Sequence, residues 1–121
     1  MERSGRILLG RRTVEPRRGH WDIPGGFLEE GEKPLDGLRR ELREETGLDV
    51  EPVVFLGSAI DRYDGQFVLG LSWIVHAEGD PVAADDIEEL AWFLPEELPG
   101  EMAFESQRGV LALWSARQRA T

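Results

Sequence analysis

The densest run of ionisable chemistry in the chain is Arg40-Glu41-Leu42-Arg43-Glu44-Glu45. On an α-helix, side chains three and four positions apart are neighbours, so Glu41, Glu44 and Glu45 converge on one stripe. Like charges at that spacing repel and would weaken an isolated helix, which points to a cation lying over them. A hard divalent ion, Mg²⁺ or Mn²⁺, suits such a site. It takes carboxylate oxygens as ligands and shares its remaining positions with water and substrate phosphates.

The neighbouring residues supply the element that positions these acids. Leu35, Leu38 and Leu42 fall at i, i+3 and i+7, an apolar stripe that packs on a core and holds the acidic face outward. Pro34 suits a first helical turn, where its missing N–H costs nothing, and Gly47 suits the left-handed position after the last turn. The spacing predicts a helix from Pro34 to Glu45 or Thr46. Ahead of it, Pro24-Gly25-Gly26 and Gly31 form a loop whose backbone freedom lets it wrap tightly around a ligand or metal.

The whole stretch Gly26 to Leu48, with Glu32, Arg40-Glu41-Leu42, Glu44-Glu45 and Gly47 at their spacings, resembles the Nudix box without a mismatch. Trp21-Asp22-Ile23-Pro24-Gly25 is similar to that family's lead-in. The resemblance implies an α/β/α sandwich with a mixed sheet, a catalytic loop-helix-loop, and hydrolysis of a nucleoside diphosphate linked to another moiety. It implies a metal site at Gly26, Glu41, Glu44 and Glu45, with Glu44 and Glu45 among the catalytic acids. Glu32 helps fix the loop to the helix, Arg40 is its expected partner, and Gly47 closes the box.

Composition sets the outer limits. A chain of 121 residues, 40% hydrophobic and 31% charged, is expected to form one domain spanning residues 1–121. No cysteine is present, which removes disulfides and thiolate chemistry. The absence of a signal peptide and of any long apolar run makes a cytoplasmic protein, without a membrane partner, the expectation. A net charge of −10 argues against a general nucleic-acid binder, yet a polyanionic substrate stays compatible because bound cations reverse the local sign.

Taken in order, Met1 to Gly5 is too short and polar to form an element. Arg6 to Gly10 reads as a strand running into a basic loop from Arg11 to His20. Arg11 and Arg12 either contact substrate phosphate or belong to a solvated loop. The family usually has a further strand before this one, so either the start site is late or the sheet lacks an element, and an open edge of that kind favours a homodimer. Lone His20 is read as structural, and Trp21 as packing beneath the loop.

Val53 to Ile60 and Phe67 to His76 read as antiparallel strands around a turn, Asp61-Arg62-Tyr63-Asp64-Gly65. Arg62 and Tyr63 are weaker substrate candidates. The tyrosine resembles one in the diadenosine-polyphosphate branch of the family. The proline of typical ADP-ribose hydrolases and the Ser-Gln-Pro-Trp array of NADH pyrophosphatases have no counterpart. In the acidic run before Trp92-Phe93, Asp86 best matches a further family acid that completes the metal site or acts as base, with Glu88 and Glu89 behind it. A solvated acidic loop is the alternative. Phe104 to Arg119 has helical periodicity, with Val110, Leu111, Leu113 and Trp114 apolar.

The combined expectation is a metal-dependent pyrophosphohydrolase acting on a nucleotide-type small molecule. The alternative is a regulatory protein that binds a nucleotide on the same fold without turnover. The complete set of box glutamates argues against it, because a sensor could dispense with two of them. Which acid serves as general base is left open by the sequence.

Overall fold

A computed structural model describes residues 1–120. Strand β1 (Glu2–Arg3) turns into β2 (Arg6–Arg12), and β3 (Trp21–Asp22) leads through the glycine-rich loop to helix α1 (Pro34–Thr46). Strands β4 (Glu51–Tyr63) and β5 (Gln66–His76) form a long hairpin. Strand β6 (Ile87–Phe93), a 3₁₀ turn (Pro95–Glu97) and helix α2 (Ser106–Arg119) complete the chain. Among the described residues, no helix is long and apolar enough to cross a membrane.

Strand β2 organises the layers. It pairs antiparallel with β1 and β3 along one side and with β6 along the other. Because side chains alternate along a strand, Ile7 and Leu9 enter one apolar cluster with Leu111 and Trp114 of α2. Leu8 enters a second cluster with Leu42 of α1. The neighbours Ile74 and Val75 divide between the same clusters. One helix therefore covers each face, the α/β/α arrangement expected. The named strand pairs are all antiparallel, and the parallel component of the mixed sheet is a bridge between Trp21 and Met102.

The start of the chain corrects the expectation of a missing first strand. Ser4 and Gly5, both at positive φ, make a two-residue turn that pairs Glu2 with Ile7 and Arg3 with Arg6. Met1 is buried in the second cluster, and its carbonyl accepts the Leu8 N–H at 2.9 Å. Two residues suffice because a tight turn needs no polar loop of its own. With β2 flanked on both sides, the open edge that motivated a strand-paired homodimer is absent from this strand.

The basic loop is also shorter than the sequence suggests, because Arg11 and Arg12 continue β2 against Trp21, Glu89 and Ile87. In the long hairpin the turn contracts to Asp64-Gly65, with φ of 51° and 77°. Pairing runs out to Tyr63 opposite Gln66, which makes Asp61, Arg62 and Tyr63 strand residues. Alternation then sends Asp61 inward to accept the Ser106 hydroxyl and Tyr63 toward Phe104, while Arg62 points outward over the Phe67 ring. Arg62 and Tyr63 therefore do not act on one side of the ribbon.

Helix α1 ends where Gly47 adopts φ 76° and its N–H returns to the Arg43 carbonyl. Helix α2 buries Val110, Leu111 and Trp114 and leaves Leu113 half exposed. Leu9, fully enclosed in the middle of β2, is the side chain on which both β2 pairings and the α2 layer meet. Leu9→Ala is expected to lower stability by about 2 to 5 kcal/mol. A urea titration should show the midpoint falling with little change in slope.

Candidate active site

The site begins with how α1 meets the loop before it. Gly26 lies flat against the Glu41 carboxylate. A Cβ placed on Gly26 would come within 2.3 to 2.5 Å of that group. One helical turn on, Glu45 is buried, and its Oε1 accepts the Gly25 N–H at 3.0 Å. The two carboxylates thus reach the same loop from successive turns. Glu45 turns inward against the loop, which corrects the expectation that the acidic face points outward as a unit. Only Glu44 stays open to solvent. Leu35 is correspondingly more exposed than an i, i+3, i+7 stripe implies.

A single guanidinium ties loop and helix. Arg40 donates to both oxygens of Glu32, at 2.8 and 3.0 Å, to Glu41 at 2.9 Å and to the Phe27 carbonyl at 3.1 Å. Glu44 lies at 3.4 Å and Glu29 at 3.6 Å from the same side chain. The Arg40 hydrogen bonds and the Glu29 N–H hold the Glu32 carboxyl down to about 2, against a small opposing desolvation. The Arg40 guanidinium is held still more firmly in its charged form, first by Glu32.

Glu45 is shifted the other way. Burial pushes its carboxyl up to about 8, opposed by the Gly25 N–H and reinforced by the charges of Asp22, Glu41 and Asp85. Among the described residues, no lysine or arginine pairs with it. A buried carboxyl beside other acids, with Gly26 pressed on Glu41, offers oxygen donors of the kind a divalent cation takes, yet among the described residues no three acids or histidines are gathered into a metal-holding group. Gly26, Glu41 and Glu45 are the residues this loop and helix bring together, with Glu44 exposed at the rim.

The other anticipated residues divide. The loop ahead of β6 is docked on the end of α1, where Ala84 N–H meets the Glu45 carbonyl at 3.2 Å and Val82 N–H the Thr46 carbonyl at 2.9 Å. That docking places the charge of Asp85, at φ 58°, where it acts on Glu45, while the Asp86 carbonyl receives the Thr13 N–H. Arg11 is engaged by Glu88 at 3.0 Å and Glu89 at 3.6 Å. Arg12 binds Asp22 at 2.8 Å and lies 5.6 Å over the Phe104 ring. Gln107 donates to the other Asp22 oxygen at 2.5 Å.

Tyr63 meets Phe27 edge-on at 5.4 Å and Phe104 at 6.1 Å. Trp21 packs edge-on against Phe93 at 5.0 Å, and His20 keeps its Nδ1 buried without a partner. Phe27 and Asp85 carry no motif of their own, and their signal in the sequence is adjacency to Gly26 and to Asp86. Asp22 belongs to the Trp21-Asp22-Ile23-Pro24-Gly25 lead-in.

The NUDIX domain profile matches residues 1–114. The ADP-ribose pyrophosphatase of Methanocaldococcus jannaschii is 34% identical over 111 residues, which cover 89% of this chain and 65% of that protein. The CTP pyrophosphohydrolase of Escherichia coli is 32% identical over 98 residues, or 80% of this chain and 73% of that one. The crystal structure of a MutT NUDIX hydrolase from Burkholderia pseudomallei superposes with a TM-score of 0.84 at 29% identity, covering 93% of this chain and 91% of the other. With a family match over most of its length, the chain belongs to the Nudix hydrolase family.

Two titration experiments follow from the opposed shifts. Folded Glu45 retains a proton up to about pH 8 that the unfolded chain releases near its ordinary value of 4.5. Metal-free stability should therefore fall as pH rises through that interval, and Glu45→Gln should flatten the trend. Glu32 works in reverse. Its contribution is complete above its ordinary 4.5 and is lost as pH falls toward about 2. Glu32→Gln should accordingly melt lower than wild type at neutral pH, with the gap closing in acid. Thermal unfolding in a chelator across the pH range checks both.

Proposed function

We propose that this protein is a divalent-metal-dependent pyrophosphohydrolase that cleaves the phosphoanhydride of a nucleoside diphosphate linked to a further group. The observation that carries this reading is the pairing of Glu41 and Glu45 on successive helical turns beneath Gly25-Gly26, with Glu45 buried and lacking a cationic partner. The two named relatives support the substrate class. ADP-ribose and CTP both contain a nucleoside diphosphate extended by another group.

Mg²⁺ or Mn²⁺ bound at Gly26, Glu41, Glu44 and Glu45 would supply positive charge against the phosphoryl oxygens and a more acidic water. The protein's part is positioning and proton handling. Glu41 and Glu45 hold their carboxyl groups at fixed places, because one is pressed on the loop backbone and the other is hydrogen-bonded to it. Glu44 is the most open of the three, held only through Arg40, and is assigned to accept the proton of the attacking water. Water adds to one phosphorus, the bridging P–O bond breaks, and the second phosphate leaves with the electron pair.

Asp85 and Asp86 add negative charge from the docked loop, and Asp86 is kept as the further catalytic acid on its place in the acidic run. On the other side of the loop, Phe27, Tyr63 and Phe104 form an aromatic group beside Arg12. It is suited to the base or sugar of the substrate, while Arg12 is taken up by Asp22 and the Pro16 carbonyl. Arg11 and Arg62 are assigned no substrate contact, since one is engaged by Glu88 and Glu89 and the other lies across Phe67.

Turnover of ADP-ribose, CTP, nucleotide sugars and dinucleoside polyphosphates with Mg²⁺ and Mn²⁺, followed by chromatography of the products, tests the assignment. Cleavage should require the cation and yield a nucleoside monophosphate or diphosphate. A folded protein that turns over none of these would overturn it. Glu45→Gln should lose about two to four powers of ten in rate, at roughly 1.4 kcal/mol per decade. Tyr63→Ala should raise KM more than it lowers kcat. A Glu45→Gln variant with near-normal turnover would remove the metal-site reading.

A further inference from the structure

The outward face of the β4–β5 hairpin is apolar over most of its length. Phe67 is 73% exposed, Leu69 61%, Ile60 59%, Val53 and Phe55 50% each, and Leu71 41%. Five of these side chains belong to one surface by register, and Val53 lies at the bulge between Pro52 and Val54. Ile60 stands opposite Leu69, Phe55 opposite Trp73, and Ser58 opposite Leu71. Phe55 and Trp73 meet edge-on at 5.2 Å, which joins the exposed face to the cluster beneath α1. The opposite face of the ribbon is already occupied, because Asp61 is bonded to α2 and Gly57 lies against Leu113.

We propose that this face is covered by the same face of a second copy of the chain, in a two-fold homodimer. Area is the first argument. At about 150 to 250 Å² for a fully exposed large side chain, these six leave roughly 650 Å² of apolar surface in water. The largest patch on an ordinary monomer is about 300 to 600 Å². A standard interface takes about 800 Å² from each partner, so this patch and its rim reach that scale.

Charge is the second argument. The protein carries −10 overall, so two copies repel over most of their surfaces. Among the residues paired across this face between Phe55 and Arg62, the charged one is Arg62, laid 4.6 Å over the Phe67 ring. It is therefore the surface on which two acidic copies approach with least repulsion. The same net charge disfavours an anionic membrane or nucleic acid as the occupant. Shape is the third argument, because a two-stranded ribbon apolar on one side packs on its symmetry mate as two sheets do. The pairing is face to face through side chains and needs no open strand edge.

Sedimentation velocity from low micromolar to submillimolar concentration tests the proposal. Wild type is expected as a dimer, with Leu69→Lys and Phe67→Ser monomeric and folded by circular dichroism. Phe67→Ser carries the test if the lysine variant fails to fold. Hydrogen exchange of wild type in dilute and concentrated solution provides a reading without substitution, and protection should grow in β4 and β5. A wild type that stays monomeric throughout overturns the proposal. So does a dimer that survives both folded variants, or one whose protection lies elsewhere, since either places the interface on another surface.

Discussion

One guanidinium makes this architecture possible. Helix α1 carries Glu41, Glu44 and Glu45 within two turns, and the loop before it adds Glu29 and Glu32. Arg40 reaches four of these five acids and also the Phe27 carbonyl. The planar fork of an arginine can bind both oxygens of one carboxylate and still offer donors to others, which a lysine point charge cannot do. The loop therefore closes over the helix, and Gly26 comes to rest on Glu41. Without that tie the helix would present mutually repelling acids, and the loop would keep only lesser contacts such as the Gly25 N–H on Glu45.

Glu45 is the acid that Arg40 does not reach, and the fold treats it differently. Burial removes it from water while Asp22, Glu41 and Asp85 surround it with negative charge. A carboxyl in that setting either keeps its proton or meets a cation. The structure thus holds two kinds of carboxylate a few residues apart, one locked in its charged form by an arginine and one held near neutrality. The first kind serves rigidity. The second keeps a buried carboxyl with no lysine or arginine beside it among the described residues.

Alternation along strands does the remaining positioning. Strand β2 sends Ile7 and Leu9 to one helix and Leu8 to the other, so the sheet to which the glycine-rich loop is anchored is clamped between two layers. The same period sends Tyr63 toward the loop and Arg62 away from it. In the hairpin it gathers apolar side chains on a face that no other part of the chain covers.

By itself the sequence determined the local features that rest on neighbours a few residues apart. The helix from Pro34, its end at Gly47, the box glutamates and the Asp-Gly turn all follow from spacing, φ preference and capping chemistry. The pairing of Glu32 with Arg40 was also legible, through the family resemblance. Tertiary structure decided which acids face inward, because the burial of Glu45 depends on a loop arriving from Gly25 and another from Ala84. It also decided that Met1 to Gly5 forms a turn and strand, and that Asp85 is the acid of its run whose charge acts on Glu45. Those outcomes depend on segments distant in sequence meeting at one place, and no local pattern of residues encodes which segments meet.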